Sequence, residues 1–190
     1  MTTAQFSTAT FSSALTAHEE LVSPTLALGL VTGVSLLPIA LQPNEWFNLL
    51  WCGEEPTVED SKTLGPAFEA ALDYQQWLLA NPTDDWFSLI DEISLSEYAM
   101  GLAMALNWGQ TAWSDVGLED GSDNDNLIGA LMLVAVTLAW PNEQRPEGVN
   151  LPTAATAESQ FKTAIHAVRL ISTEYREQQE AQQDQQQAAH

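Results

Sequence analysis

The sequence predicts an all-α fold, a compact single-domain helical bundle of about six to eight helices closed by a disordered or frayed C-terminal tail. Three observations carry that prediction. Capping residues and prolines stand at the heads of apolar segments; apolar residues within those segments recur at helical spacing; and no run alternates with the period of two that a half-buried strand requires. A chain of 190 residues suits one domain with a proper core. Residues 1–178 form that domain in this reading, and residues 179–190 form a Gln-rich tail without a large apolar anchor.

The first clear helix opens at Ser23-Pro24, where a hydroxyl can cap backbone N–H groups and a proline occupies the first turn without losing a needed donor. It runs to about Leu37, and Pro38 stops it. Pro43 opens a short helix through Trp46, Phe47, Leu50 and Trp51, ended by Gly53. From Thr57 to Ala80 a longer stretch places Phe68, Ala71, Leu72, Tyr74 and Leu78 on one side with Glu69, Asp73 and Gln76 opposite, broken or started at Gly65-Pro66. Asn81 to Asp85 reads as a loop leading into a short apolar turn, Trp86 to Ile90.

Ser94 and Glu97 have the spacing of a capping box, and the helix they open is expected to reach about Trp113. Asp115 to Asn126 is a polar connection. Leu127 to Trp140 is apolar nearly all round, the pattern of a helix at the centre of a bundle. Pro141 to Pro152, with Pro146 and Gly148 between, is an irregular connection. The last helix, Thr153 to Gln178, buries Phe161, Ala164, Ile165, Val168, Ile171 and Tyr175 and sets Lys162, Arg169 and Arg176 seven apart along one flank, where three cations among so many carboxylates are expected to pair with neighbours and not to form a nucleic-acid site.

Charge narrows the function. With 26 Asp and Glu against 5 Lys and Arg, the formal net charge is −21. Affinity for nucleic acid comes largely from cations neutralising phosphates, so direct binding of DNA or RNA is disfavoured, as is docking on anionic lipid. The two apolar runs at Leu26–Leu41 and Leu127–Trp140 fall short of a membrane span. Met1 to Ala17 has no Lys or Arg ahead of an apolar block, as a secretory signal would need, and Cys52 is the only cysteine. A cytoplasmic setting is the expectation.

Candidate chemistry is thin. Asp120, Ser122, Asp123, Asn124 and Asp125 invite a calcium reading, but an EF-hand loop starting at Asp120 would hold Asp125 where glycine belongs and Leu131 where the last carboxylate belongs. A loop capping the next helix fits better. Paired acids at Glu54-Glu55, Glu59-Asp60, Asp84-Asp85 and Asp91-Glu92 come without a motif, and His18, His166 and Cys52 lack neighbours that would make them ligands or nucleophiles. No catalytic residue, cofactor or metal is assigned. Gly29 and Gly33 form a G-x-x-x-G step that lets another helix of the domain approach closely. Trp86, behind Asp84 and Asp85 on a loop, packs or binds; Asp84, Asp85 and Trp86 are the candidate contacts for a partner.

Three stretches then carry a resemblance: Leu28-Gly29-Leu30-Val31-Thr32-Gly33; Pro43-Asn44-Glu45-Trp46-Phe47 with Leu50-Trp51-Cys52-Gly53; and Glu97 to Ala105 with Trp108, Trp113 and, later, Ala164 to Arg169. From about Ala17 to Tyr175 the chain resembles the YecA/YgfB-like family of bacterial proteins. The resemblance implies a compact all-helical fold, a bacterial cytoplasmic setting, no established enzyme activity and no catalytic residues to carry over. Some YecA-like members end in a cysteine-rich zinc-binding segment; this chain ends in Gln-rich sequence, so zinc is not expected. Gly29, Gly33, Trp46, Trp51, Gly101 and Trp113 fit a framework role.

The expectation for function is a non-enzymatic adaptor or regulator whose acidic surface steers a basic protein partner. The alternative is a small-molecule or metal-dependent enzyme with its site between helices. A homodimer hiding some of the seven tryptophans is a further expectation.

Overall fold

The computed structural model describes residues 6–52, 63–140 and 151–188. Among these residues the secondary structure is helical, and in place of any strand there is a single antiparallel bridge between Leu21 and Trp51.

Helix α1, Thr8–Thr16, starts where the Ser7 hydroxyl accepts the Thr10 N–H at 3.3 Å, and it buries Phe11 and Leu15. Its Ser- and Thr-rich composition favours caps over helix interiors, so the sequence reading assigned no helix here. Helix α2, Pro24–Ser35, begins as expected, with Ser23 accepting the Leu26 N–H at 3.3 Å and Pro24 in the first turn. Helix α3, Pro43–Trp46, continues into a 3₁₀ turn, Phe47–Leu50. Two backbone bonds fasten this turn to the entry of α2: Val22 N–H to the Leu50 carbonyl at 3.0 Å and Cys52 N–H to the Glu20 carbonyl at 2.7 Å.

Helix α4, Gly65–Ala80, carries Pro66 in its first turn. The expected helical residues from Thr57 to Lys62, like the connection at 141–150, lie outside the described residues. Helix α5, Thr83–Ile90, occupies what the sequence was read as a loop and an apolar turn. Pro82 ends the preceding extended link, and Asp84 and Asp85 in the first turn meet the positive end of the helix.

One long helix was expected from Leu95 to about Trp113, but the structure breaks it into α6, Leu95–Trp108, and α7, Gln110–Asp115, at Gly109. The reason is tertiary. The Leu37 side chain fills the space a Cβ on Gly109 would need, and Gly109 leaves helical geometry with φ −85° and ψ 11°. Helix α8, Asp123–Ala139, is capped by Ser122, which accepts the Asp125 N–H at 3.2 Å, while the Asp125 carboxylate accepts the Gly121 N–H at 2.8 Å. The acidic loop thus closes on itself as a helix cap. Helix α9, Ala154–Ala188, packs Phe161, Ile165, Val168 and Ile171 into the core. Its backbone stays helical through the Gln-rich segment, and no residue from 173 to 185 is buried.

Helix α2 is the centre of the bundle. Every residue from Ala27 to Ser35 is buried, against α6 along its whole length and against α4 on another side, with α1 lying on α4. Helix α8 packs between α6 and α9, with Ser96 at the start of α6 donating to the Ala139 carbonyl at 3.2 Å. The sequence had placed α8 at the centre, yet Leu127, Leu133 and Trp140 reach solvent. Apolar content alone does not separate a central helix from one with an exposed apolar stripe. The glycines do, since only α2 and α6 carry them where their backbones touch. A Cβ on Gly29 would overlap the Tyr98 carbonyl oxygen, and one on Gly101 would overlap the Leu26 carbonyl oxygen.

A polar knot sits at this crossing. The Thr32 hydroxyl donates to the Leu28 carbonyl at 2.8 Å, accepts from the Tyr98 hydroxyl at 2.9 Å and lies 3.0 Å from the Tyr74 hydroxyl, so α2, α4 and α6 share one buried oxygen. Burial pushes the pKa of both tyrosines above the ordinary value, against hydrogen bonds with Thr32 that act the other way. Both remain neutral donors.

Candidate functional site

The expected partner contacts separate. Asp84 and Asp85 are exposed on the first turn of α5, whereas Trp86 is 1% exposed and faces inward. Its packing comes from α9: the Arg169 guanidinium lies 4.3 Å from the centre of the Trp86 ring, and its Nη1 donates to the Asn81 carbonyl at 2.6 Å. Next to it, Thr83 and His166 Nδ1 stand 2.6 Å apart. Trp86 is therefore core, and the pairing of a helical Trp with an Arg eighty-three positions away had no sequence signal beyond the presence of both.

All three cations on the flank of α9 turn inward or bind locally. Lys162 meets both oxygens of the Asp91 carboxylate at 2.7 and 2.8 Å and lies 5.6 Å over the Phe87 ring. Arg176 donates from Nη2 to the Ser35 carbonyl at 2.7 Å and from Nε to the Leu37 carbonyl at 3.0 Å, and Ser172 adds a 2.9 Å bond to the same Leu37 oxygen. The C-terminus of α2 would otherwise leave these carbonyls unsatisfied; a cation there also meets the negative end of the helix. Burial lowers the pKa of Arg169 and of Arg176, and for Arg176 the nearby Arg169 lowers it further while Glu180 raises it. A guanidinium stays charged through such shifts.

The carboxylates point the other way. None of the described Asp or Glu side chains is buried. Among the described residues no group of three or more His, Cys, Asp or Glu is arranged to hold a metal ion, and Cys52 is exposed as a free thiol. Asp120 to Asp125 form the cap of α8 already described. No helix among the described residues is long and apolar enough to cross a membrane.

One surface groove of about 600 Å³ runs between α1 and α4. Phe6 anchors its floor, 4.6 Å from Tyr74, 5.6 Å from Trp77 and 5.8 Å from Phe11 between ring centres. Glu69 and Asp73, one helical turn apart on α4, form its acidic wall. The sequence reading placed both α4 acids on the polar side of the helix; it could not foresee the groove, because α1 was not read as a helix. Comparison with protein-family models, with curated proteins and with solved structures found no match.

Proposed function

We propose that this protein is a non-enzymatic interaction protein of the bacterial cytoplasm, a YecA/YgfB-like adaptor or regulator that engages a basic protein partner through its acidic surface. The observation that supports this is the direction of the charges. Lys162, Arg169 and Arg176 are each held by a carboxylate or by backbone carbonyls within the fold, so they are not presented to a partner, and the five cations of the sequence leave most of its 26 acids without a counter-charge. A net charge of −21 then projects outward, and such a field raises the association rate with a positively charged surface. Asp84 and Asp85, exposed on α5, are candidate contacts.

The alternative, an enzyme with its site between helices, needs a pair of carboxylates converging in a buried pocket. That none of the described acids is buried supports the interaction reading over it. Pairing of two copies through exposed Trp108 and Trp140 would bring two strongly negative surfaces together, which supports a basic partner ahead of a homodimer.

The test is capture of partners from source-cell lysate on the tagged protein, at low and at moderate salt. A stoichiometric basic protein that is lost as salt shortens the screening length is the expected outcome. Absence of any such protein at low salt counts against the proposal. A specific form of it, in which the acidic surface covers the basic face of a nucleic-acid-binding protein, requires that added protein displace DNA from the captured partner.

A further inference from the structure

The groove between α1 and α4 combines three properties. Its floor is aromatic, with Phe6 and Trp77 both partly open to solvent above buried Phe11 and Tyr74. Its wall is anionic: Glu69 and Asp73 are exposed, neither has a hydrogen-bond or ion-pair partner among the described residues, and no Lys, Arg or His lines the groove. It is long and open, following α4 from Pro66 to Asn81, a rise of about 22 Å at 1.5 Å per residue.

Two like charges one helical turn apart repel, and a fold gains nothing from holding them beside apolar rings. A cation placed between them would be attracted by both carboxylates and by the faces of the aromatic rings. The open, elongated form suits a chain segment lying along α4, whereas a small ligand is usually enclosed over most of its surface.

We infer that this groove receives a basic amphipathic helix of the partner protein, which seats apolar side chains on Phe6 and Trp77 and pairs Arg or Lys side chains with Glu69 and Asp73. This rests on the basic-partner reading above and names where that partner binds. Helices that dock in grooves present anchors at i, i+3, i+4 and i+7, the spacing at which Glu69, Asp73 and Gln76 stand on α4.

The test titrates a synthetic amphipathic helix, with leucine on one face and arginine along its edges, into the full-length protein by calorimetry. The variants Glu69→Gln with Asp73→Asn, and separately Ala14→Trp, which fills the groove, are each expected to weaken binding by roughly tenfold, while Asp115→Asn with Glu119→Gln, exposed and away from the groove, changes it by less than about twofold; Asp84→Asn with Asp85→Asn is measured beside them. Circular dichroism checks that each variant is folded. A peptide in which the leucines are replaced by glutamine should bind at least about tenfold more weakly, since it cannot use the apolar floor.

Unchanged binding in both groove variants, with loss in the Asp84/Asp85 variant, overturns the groove and leaves the acidic-surface reading in place. Equal binding of the leucine-free peptide also overturns it, by showing that charge alone is being read. Competition by phenethylammonium at the peptide's own affinity would assign the groove to a small amine instead. Failure of every basic peptide to bind, together with an empty lysate capture, sinks both readings.

Discussion

The Arg169 guanidinium lies 4.3 Å from the centre of the buried Trp86 ring and donates to the Asn81 carbonyl, joining α9 to the start of α5 through one planar group. A lysine at this position keeps the charge but loses the flat face and the fork of donors. Arg169→Lys is therefore expected to cost about 1 kcal/mol and Arg169→Ala about 2 kcal/mol. Urea unfolding of the two variants measures this; equal loss in both would show that the charge, not the stacking plane, is what matters.

The contact of α2 with α6 predicts opposite responses at two glycines. Gly29→Ala forces a methyl into the Tyr98 carbonyl and should destabilise by about 3 kcal/mol. Gly129 lies within α8 with open space where a Cβ would go, so Gly129→Ala should stabilise by about 0.5–1 kcal/mol through helix propensity. A pair of thermal melts decides the matter, and a neutral Gly29→Ala would mean the helices can separate at little cost.

Tyr74 and Tyr98 predict an alkaline limit. Burial raises both folded-state pKa values above the ordinary value near 10, so the folded chain holds protons that the unfolded chain releases. Their contribution to stability is complete below about pH 10 and is lost as pH rises beyond it, with a slope approaching roughly 1.4 kcal/mol per pH unit for each tyrosine. Tyrosinate absorbance should show these two residues ionising only as the chain unfolds. Ionisation of all tyrosines in a chain still folded by circular dichroism would refute it.

Removal of the Arg176 side chain leaves the Ser35 and Leu37 carbonyls short of donors at the end of the central helix. Arg176→Met is expected to cost about 2–3 kcal/mol, and Ser172→Ala a further 1 kcal/mol or so. Because either side chain alone still satisfies the Leu37 oxygen, and only the double variant leaves it without a side-chain donor, the double variant should lose more than the sum. A strictly additive double variant would show that the two bonds act independently.

What the sequence disclosed and what it hid follow a physical line. Ser23-Pro24 and Ser122 before α8 act within a few residues of themselves and do in the structure what local chemistry requires, and the Gly29–Gly33 step could be read as a place of close helix approach although its partner, α6, could not be named. The break at Gly109 depends on Leu37, and the burial of Trp86 depends on Arg169, partners far away in the chain. Helix α1 was illegible because its Ser and Thr residues lower helix propensity, and only the spacing of Phe11 and Leu15 hinted at it. With α1 unseen, the groove it forms with α4 was unseen as well. The three cations of α9 were read as pairing with neighbours; Lys162 does so with a carboxylate, while the two arginines choose carbonyls, a preference that charge counting does not reveal.

The clasp on the end of α2 also orders events in time. Arg176 is 139 residues beyond Leu37, so during synthesis the most apolar of the described helices emerges long before the side chains that close over its end. Until then the nascent chain must carry α2 without its clasp. A chain that stops short of Ser172 would be a client for chaperones and proteases, which gives quality control a simple way to tell a finished copy from an unfinished one.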